Sequence, residues 1–354
     1  MIENEILYNQ LVVVDRQLSE HPDDVALSIW KGLLLRQLGQ DAEAISLYEQ
    51  VLARHPNLVD AYLGLSQAFL HVGRPSDAFT TIQIGLSLNP QSAKNWAVLG
   101  YILEAKRQYH EASQAYTEGV HLDPTDGNIW FHLGNMLAKQ ENHAEAIAAY
   151  QRVITLQDEQ TPDAWANMSE EYRRIEDYEH SYAAICTAYA LDPITPAIQN
   201  LYANALAAHG HYHEARTLYE ALLQQDPLNA LYLNNMGALL NDLSNWELAI
   251  SFLEQAQSLT PSSDESQQEN QANIWFNLTR SYYATGRYTQ SLKNCLLALH
   301  AMPHLPMLWV LKHHILVKLG DTKGAQHAMK RAYALDPQAH TLVAENDLAE
   351  NTPQ

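Results

Sequence analysis

Apolar and small residues recur every three or four positions along the chain, in blocks separated by short polar segments. One block places Trp96, Leu99 and Leu103 before Ala112 and Tyr116. A spacing of three to four residues keeps such side chains on one face of a helix. Runs of β-branched residues, which favour strands, are scarce. The pattern therefore predicts an all-α protein built from helices with one apolar face each.

Prolines that follow helix-ending residues mark the boundaries between the blocks. Most are 34 residues apart, with one step of 69 and one of 42. Glycines recur midway through the blocks, where a turn between two helices needs a positive φ. A fixed period of this kind indicates stacked units, each of them a helix pair. The prolines are Pro22, Pro56, Pro90, Pro124, Pro193, Pro227, Pro261, Pro303 and Pro337, and the glycines are Gly39, Gly73, Gly210, Gly286 and Gly320.

The repeated residues resemble the tetratricopeptide-repeat family, in which the first helix carries Trp, Leu, Gly and Tyr and the second carries Ala, Phe and a following Pro. Trp96, Leu99 and Gly100, followed by Ala112 and Tyr116, match that pattern closely. The resemblance implies a right-handed superhelical α-solenoid of about nine helix pairs with capping helices. It also implies that small residues on the two helices face each other, so that Gly100 lies against Ala112.

The period divides the chain into five segments. An N-terminal capping helix is expected within residues 1–24, seven repeats within 25–263 with a one-residue offset near 161, and two repeats within 272–339. The acidic, Gln-rich insertion at 264–271 predicts a mobile loop, because it has no apolar anchor. Residues 340–354 are expected to form a C-terminal cap and tail.

Charge and composition exclude several classes of function. The chain carries 21 Lys and Arg against 41 Asp and Glu, a formal charge of −20 that repels nucleic-acid phosphates and anionic lipids. We therefore expect neither a nucleic acid nor a membrane as a partner, and the oligomeric state stays open. The acidic start without a basic segment predicts a cytoplasmic protein. Cys186 and Cys295 are expected to be core thiols, too few for a structural zinc site.

No catalytic pattern accompanies the repeats. We find no glycine-rich phosphate loop, no nucleophile elbow and no paired carboxylates of the kind that enzymes use. The repeats also occupy nearly the whole chain. We therefore expect no enzymatic activity and no cofactor.

Asparagines form the first group of candidate binding residues. In the tetratricopeptide family, positions 2, 5, 9, 12 and 13 of the first helices line a concave groove, and here several of them are Asn. An amide can both donate to and accept from the backbone of an extended peptide, an arrangement similar to the asparagine ladder in the repeat domain of O-GlcNAc transferase. The alternative is that these residues only solvate or cap the helices. The candidates are Asn128, Asn135, Asn200, Asn204, Asn234, Asn241 and Asn273.

Basic and aromatic residues form the second group of groove candidates. The basic residues assigned to the groove outnumber the acidic ones by only two, so an acidic chain is expected to have a nearly neutral groove. Aromatic side chains there predict pockets for a partner, with packing against the neighbouring first helix as the alternative. The candidates are Arg173, Arg174, Arg280, Tyr101, Phe131 and Phe276.

The resemblance and the groove residues together predict a scaffold or adaptor that binds an extended segment of a protein partner. Two alternatives remain. His209, His211 and His213 alternate in one turn and could hold a metal ion, although solvated turn histidines are the simpler explanation of the pattern. The acidic convex face could instead serve an assembly chaperone with a basic partner.

Overall fold

The computed structural model describes residues 2–156, 161–260 and 268–339. These residues form nineteen helices and, over the same ranges, no strand. The helices are α1 Ile2–Glu20, α2 Val25–Gln37, α3 Asp41–Arg54, α4 Val59–His71, α5 Pro75–Leu88, α6 Ala93–Ala105, α7 Tyr109–Leu122, α8 Gly127–Lys139, α9 His143–Leu156, α10 Pro162–Arg174, α11 Tyr178–Leu191, α12 Pro196–Ala208, α13 Tyr212–Gln225, α14 Ala230–Asp242, α15 Trp246–Leu259, α16 Gln268–Ala284, α17 Tyr288–Ala301, α18 Pro306–Lys318 and α19 Thr322–Leu335.

The chain divides into two compact blocks, which we call the N-terminal block (residues 1–192) and the C-terminal block (residues 193–354). In each block, even-numbered helices are the first helices of a pair and pack against the odd-numbered helix that follows. In the N-terminal block, α1 precedes the first pair, in the segment for which a capping helix is expected. The all-α class and the stacked helix pairs predicted from the sequence are confirmed.

The structure describes the last residues of the predicted insertion but not the predicted C-terminal cap. The loop predicted at 264–271 is wrong for its last part, because α16 already begins at Gln268 and carries Gln271 as a buried residue. The amide of Gln271 donates from Nε2 to the carbonyl oxygen of Thr260, 3.2 Å away, and so ties the new helix to the end of α15. The remaining part of the insertion and the C-terminal cap at 340–354 lie outside the described residues.

Local chemistry accounts for where the helices begin and end. The side chains of Asp24, Ser92 and Asn229 cap α2, α6 and α14 by accepting hydrogen bonds from backbone N–H groups of the first turn. Prolines open α5, α10, α12 and α18, where the missing N–H costs nothing. Every turn within a pair contains one residue with a positive φ, and at five of the nine turns it is glycine.

Glycines on the first helices make room for large side chains on the second. A Cβ atom built on Gly100 would lie 2.5 Å from a ring carbon of Tyr116, and one on Gly134 would lie 2.7 Å from the ring of Tyr150. The three heavy atoms nearest to a Cβ on Gly100 all belong to the Tyr116 ring, which reaches back over the glycine, while the contact between Gly100 and Ala112 stays a prediction. Both tyrosines are buried.

The two cysteines differ in environment. Cys295 is fully buried in the core around α17 and α18, as predicted, and burial raises the pKa of its thiol to about 12. Cys186 is only half-buried, so the prediction of a core thiol is wrong there. Ile185, one residue earlier, takes the core position.

Candidate functional site

Asparagines on the first helices of the C-terminal block bond to one another. Oδ1 of Asn200 on α12 accepts from Nδ2 of Asn235 on α14, at 2.9 Å. Oδ1 of Asn234 on α14 accepts from Nδ2 of Asn277 on α16, at 3.0 Å. Asn200, Asn234 and Asn277 are all buried. Side-chain amides thus link three consecutive first helices.

Asn241 belongs to the same set of contacts and is 1% exposed. Its Nδ2 donates to the backbone oxygen of Asn277 at 3.0 Å, and its Oδ1 accepts from Oγ of Ser281 at 2.6 Å. Both ends of the amide are therefore engaged with α16. Asn200, Asn234 and Asn241, which the sequence assigns to peptide binding, direct their amides toward neighbouring helices instead.

Two members of this network, Asn235 and Asn277, lie one position outside the predicted groove lining. A sequence signal for them exists: Asn200 and Asn235 are 35 residues apart, and Asn234 and Asn277 are 43 apart, which is 35 plus the eight extra residues before α16. An Asn at the fifth position of one repeat and at the sixth position of the next thus indicates a bond between first helices.

The N-terminal block arranges two amides differently. Oδ1 of Asn135 on α8 accepts from Oη of Tyr150, at 2.8 Å, and from Nδ2 of Asn167 on α10, at 3.0 Å. These bonds leave the donor Nδ2 of Asn135 and the acceptor Oδ1 of Asn167 for another partner. Both residues line an open depression of about 250 Å³ and are partly exposed.

Charged side chains around this depression are paired with one another. Lys139 Nζ lies 3.4 Å from Oε1 of Glu104, and Glu170 accepts from both Arg173 and Arg174. In the C-terminal block, Arg280 is paired with Asp242 at 3.0 Å and is only 13% exposed. The predicted groove cations therefore have carboxylate partners on the same first helix or on the preceding one, which agrees with the expectation of a nearly neutral groove.

The charge pairing around Glu104 makes the free energy of unfolding depend on pH. The nearby His132, with help from Lys139, holds the pKa of the Glu104 carboxyl below its ordinary value of 4.5. Because the folded-state pKa is depressed, the stabilisation is present above the unfolded-state pKa and is lost as the pH falls through the folded-state pKa.

We expect Glu104→Gln to lower the free energy of unfolding by about 1 kcal/mol near pH 7. The difference from wild type should shrink as the pH falls below 4.5, because the wild-type carboxyl is then protonated as well. Urea unfolding at several pH values measures it. Glu118→Gln, a change at an exposed glutamate on α7, is the control and should show no such convergence. A pH-independent difference would contradict the ion-pair explanation.

The aromatic candidates pack against neighbouring helices. The ring of Tyr101 on α6 meets His132 on α8 edge to face, with centroids 4.6 Å apart, and Phe131 lies 6.0 Å from Tyr150. Phe276 on α16 packs on the cluster that includes Val310 of α18. Packing against a neighbouring first helix thus describes Tyr101 and Phe276, whereas the ring contact of Phe131 is with Tyr150 on α9, the second helix of its own pair; all three candidates stay partly exposed.

The remaining asparagine candidates are exposed. Asn128 and Asn273 lie near the beginnings of α8 and α16. Asn204 on α12 accepts a hydrogen bond from Oη of Tyr219 and repeats the contact between Asn135 and Tyr150. The Asn204 amide has no neighbouring amide bonded to it in the described residues, so the paired arrangement of α8 and α10 is not repeated there.

Two of the three histidines at the turn between α12 and α13 have separate partners. Nδ1 of His209 bonds to the carbonyl oxygen of Ala205 at 2.9 Å, and Nδ1 of His211 lies 3.7 Å from Glu214. His213 is exposed. Within the described ranges, no three His, Cys, Asp or Glu side chains are arranged to hold a metal ion. The metal-binding hypothesis therefore lacks a supporting cluster.

Among the helices in the described part of the chain, none has the length and apolar character needed to cross a membrane.

Comparisons with known sequences give two family matches. A family described as "Cilia and flagella-associated protein 70 C-terminal domain" matches residues 14–230, and one described as "Tetratricopeptide repeat" matches residues 201–264. No curated protein sequence matches the chain. The first match covers more than half of the sequence.

Several solved structures are similar to the fold. A tetratricopeptide repeat protein from Parabacteroides merdae ATCC 43184 has a TM-score of 0.55 and 12% identity, with 77% of this chain and 98% of that chain covered. The APC/C hetero-tetramer Cut9-Hcn1 gives 0.56 and 17%, covering 86% and 55%. Pseudomonas aeruginosa pilF gives 0.51 and 21%, covering 61% and 98%. At these identities the likeness concerns the fold.

Proposed function

The chain belongs to the tetratricopeptide-repeat family, in the group described as the Cilia and flagella-associated protein 70 C-terminal domain, and from this premise we propose that it holds an extended segment of a protein partner against α6, α8 and α10. The fold supports a role as a scaffold for protein–protein interaction. The proposal adds a position for the partner, in the N-terminal block. It concerns binding rather than catalysis.

The observation that carries the proposal is the amide pair of Asn135 and Asn167. One offers a donor and the other an acceptor, which is the complement of the C=O and N–H groups of a peptide backbone. Asn135 is held by two hydrogen bonds, so ordering its side chain costs little when a ligand arrives. Recognition through backbone atoms also suits partners of varied sequence.

The surroundings of the pair favour an uncharged section of the partner. Glu104, Lys139 and Glu170 border the depression and already have partners of opposite charge. A charged ligand residue would have to displace one of these pairs. A backbone unit flanked by polar or apolar side chains would not, and Phe131 and Tyr101 offer partly exposed ring surface on α8 and α6.

A matched pair of variants tests the position of the site. Asn135→Asp keeps the oxygen that accepts from Tyr150 and Asn167 but replaces the unused donor with an acceptor, which repels a peptide carbonyl. We expect at least about tenfold weaker binding of peptides selected on the wild-type protein from a random twelve-residue library. Fluorescence anisotropy on the full chain measures it.

Asn204→Asp is the control, because Asn204 has the same tyrosine contact in the C-terminal block. Its affinity should equal that of wild type. An N-methyl scan of a selected peptide should locate one backbone N–H whose removal weakens binding as much as Asn135→Asp does. Failure to select any peptide, or equal losses in both variants, would remove the proposed site. The acidic convex face would then become the next hypothesis to test with basic peptides.

A further inference from the structure

Helix α1 exposes an apolar face that no described residue of its own block covers. Its opposite face is anchored: Val14 is fully buried, Leu11 packs on the core, and Asp15 pairs with Lys31 of α2 at 2.7 Å. The outer face shows Ile6 and Val13, each 52% exposed. On a water-facing helix such positions are normally polar. The apolar face is therefore suited to binding a partner.

The same face contains a depression of about 290 Å³ with an almost wholly apolar lining. Ile6, Asn9, Gln10 and Val13 surround it, and Trp30 of α2 closes its side. The four α1 residues stand at positions i, i+3, i+4 and i+7. This is the set that forms a hole for one side chain of a second helix in knobs-into-holes packing.

We propose that the occupant is α1 of a second copy of this chain, packed antiparallel across a two-fold axis near Asn9 and Gln10. In that arrangement Ile6 of one copy lies near Val13 of the other on either side of the axis. The central amides meet amides, which can donate and accept reciprocally. An isologous contact of this kind needs a surface that complements itself.

Charge favours both this face of α1 as the contact surface and an antiparallel orientation of the two copies. A chain of −20 repels its own copies, and among the described residues no charged side chain lines this depression. Exposed Glu5 and Arg16 stand toward opposite ends of the face. Antiparallel packing brings Glu5 of one copy near Arg16 of the other, whereas parallel packing does not.

Sedimentation velocity on the full chain tests the proposal. The wild-type protein is expected to show a concentration-dependent dimer. Val13→Glu should raise its dissociation constant at least about tenfold, because it places a carboxylate in the contact. Val317→Glu is the matched control, since Val317 is an equally exposed valine, at 51%, on α18, and it should leave the dimer unchanged. Circular dichroism should show unchanged helicity in both variants.

A charge exchange tests the orientation. Glu5→Arg and Arg16→Glu should each weaken the dimer, and the double variant should restore it; parallel packing would show no such restoration. A protein that stays monomeric at all accessible concentrations, or a dimer equally sensitive to Val13→Glu and Val317→Glu, would overturn the proposal.

Discussion

Replacing Asn241 with Ala is expected to lower the free energy of unfolding of the C-terminal block by about 2–3 kcal/mol. The side chain is almost completely buried and makes two hydrogen bonds to α16, one to a backbone oxygen and one from Ser281. Alanine removes both bonds and leaves a cavity between α14 and α16. The remaining bond from Ser281 to the Asn277 oxygen limits the loss.

Hydrogen exchange is the appropriate measurement, because stacked repeats need not unfold in a single step. Protection in α14 and α16 should fall in Asn241→Ala by the stated free energy. Asn204→Ala, a change at an exposed asparagine of the same block, is the control and should cost less than about 1 kcal/mol. Equal effects of the two changes would contradict the structural role assigned to the buried amides.

The sequence predicts the repeat lattice well because its signals are local. Prolines and glycines mark the ends of helices, and the apolar period fixes which face is buried. The turn between the two helices of each pair shows a backbone conformation that the local sequence does not always predict. Arg107, Glu141, Glu176 and Ser244 adopt positive φ at the phase that other repeats give to glycine. The packing of the two helices on either side imposes that conformation despite the residue type.

The site is harder to predict, because an asparagine on a first helix can face a ligand or the next repeat. Asn135 and Asn204 share one repeat position and one tyrosine contact, yet only Asn135 has a neighbouring amide, Asn167, bonded to it. Asn234 meets Asn277 across an insertion that shifts the numbering by eight residues. These differences depend on pairs of residues in adjacent repeats, whereas family position describes one residue at a time.

Asn95 is an exception within the N-terminal core, and its replacement should stabilise the protein. The residue is fully buried on α6, and neither Oδ1 nor Nδ2 has a hydrogen-bond partner among the residues that the structure describes. An unsatisfied buried amide costs about 1–3 kcal/mol. The corresponding residues of two other repeats, Ile129 on α8 and Leu308 on α18, are apolar and buried.

The surroundings of Asn95 also match those of its apolar counterpart. Asn95 lies beside Gly85 of α5, and Ile129, 34 residues later, lies in the same way beside Gly119 of α7. The repeat geometry thus already accommodates a branched aliphatic side chain next to a glycine. Leucine has the same branching as asparagine, so Asn95→Leu exchanges two polar atoms for two methyl groups with little change of shape.

We therefore expect Asn95→Leu to raise the free energy of unfolding of the N-terminal block by about 1–3 kcal/mol. Urea unfolding and hydrogen exchange of α5 and α6 measure the change. Asn128→Leu, at an exposed position on α8, is the control and should stay within about 0.5 kcal/mol of wild type. Asn95→Asp should destabilise the block, because it buries a carboxylate without a partner. A loss of stability in Asn95→Leu would instead mean that the amide is satisfied in solution, and the exception would then be a hydrogen-bonded feature of this core.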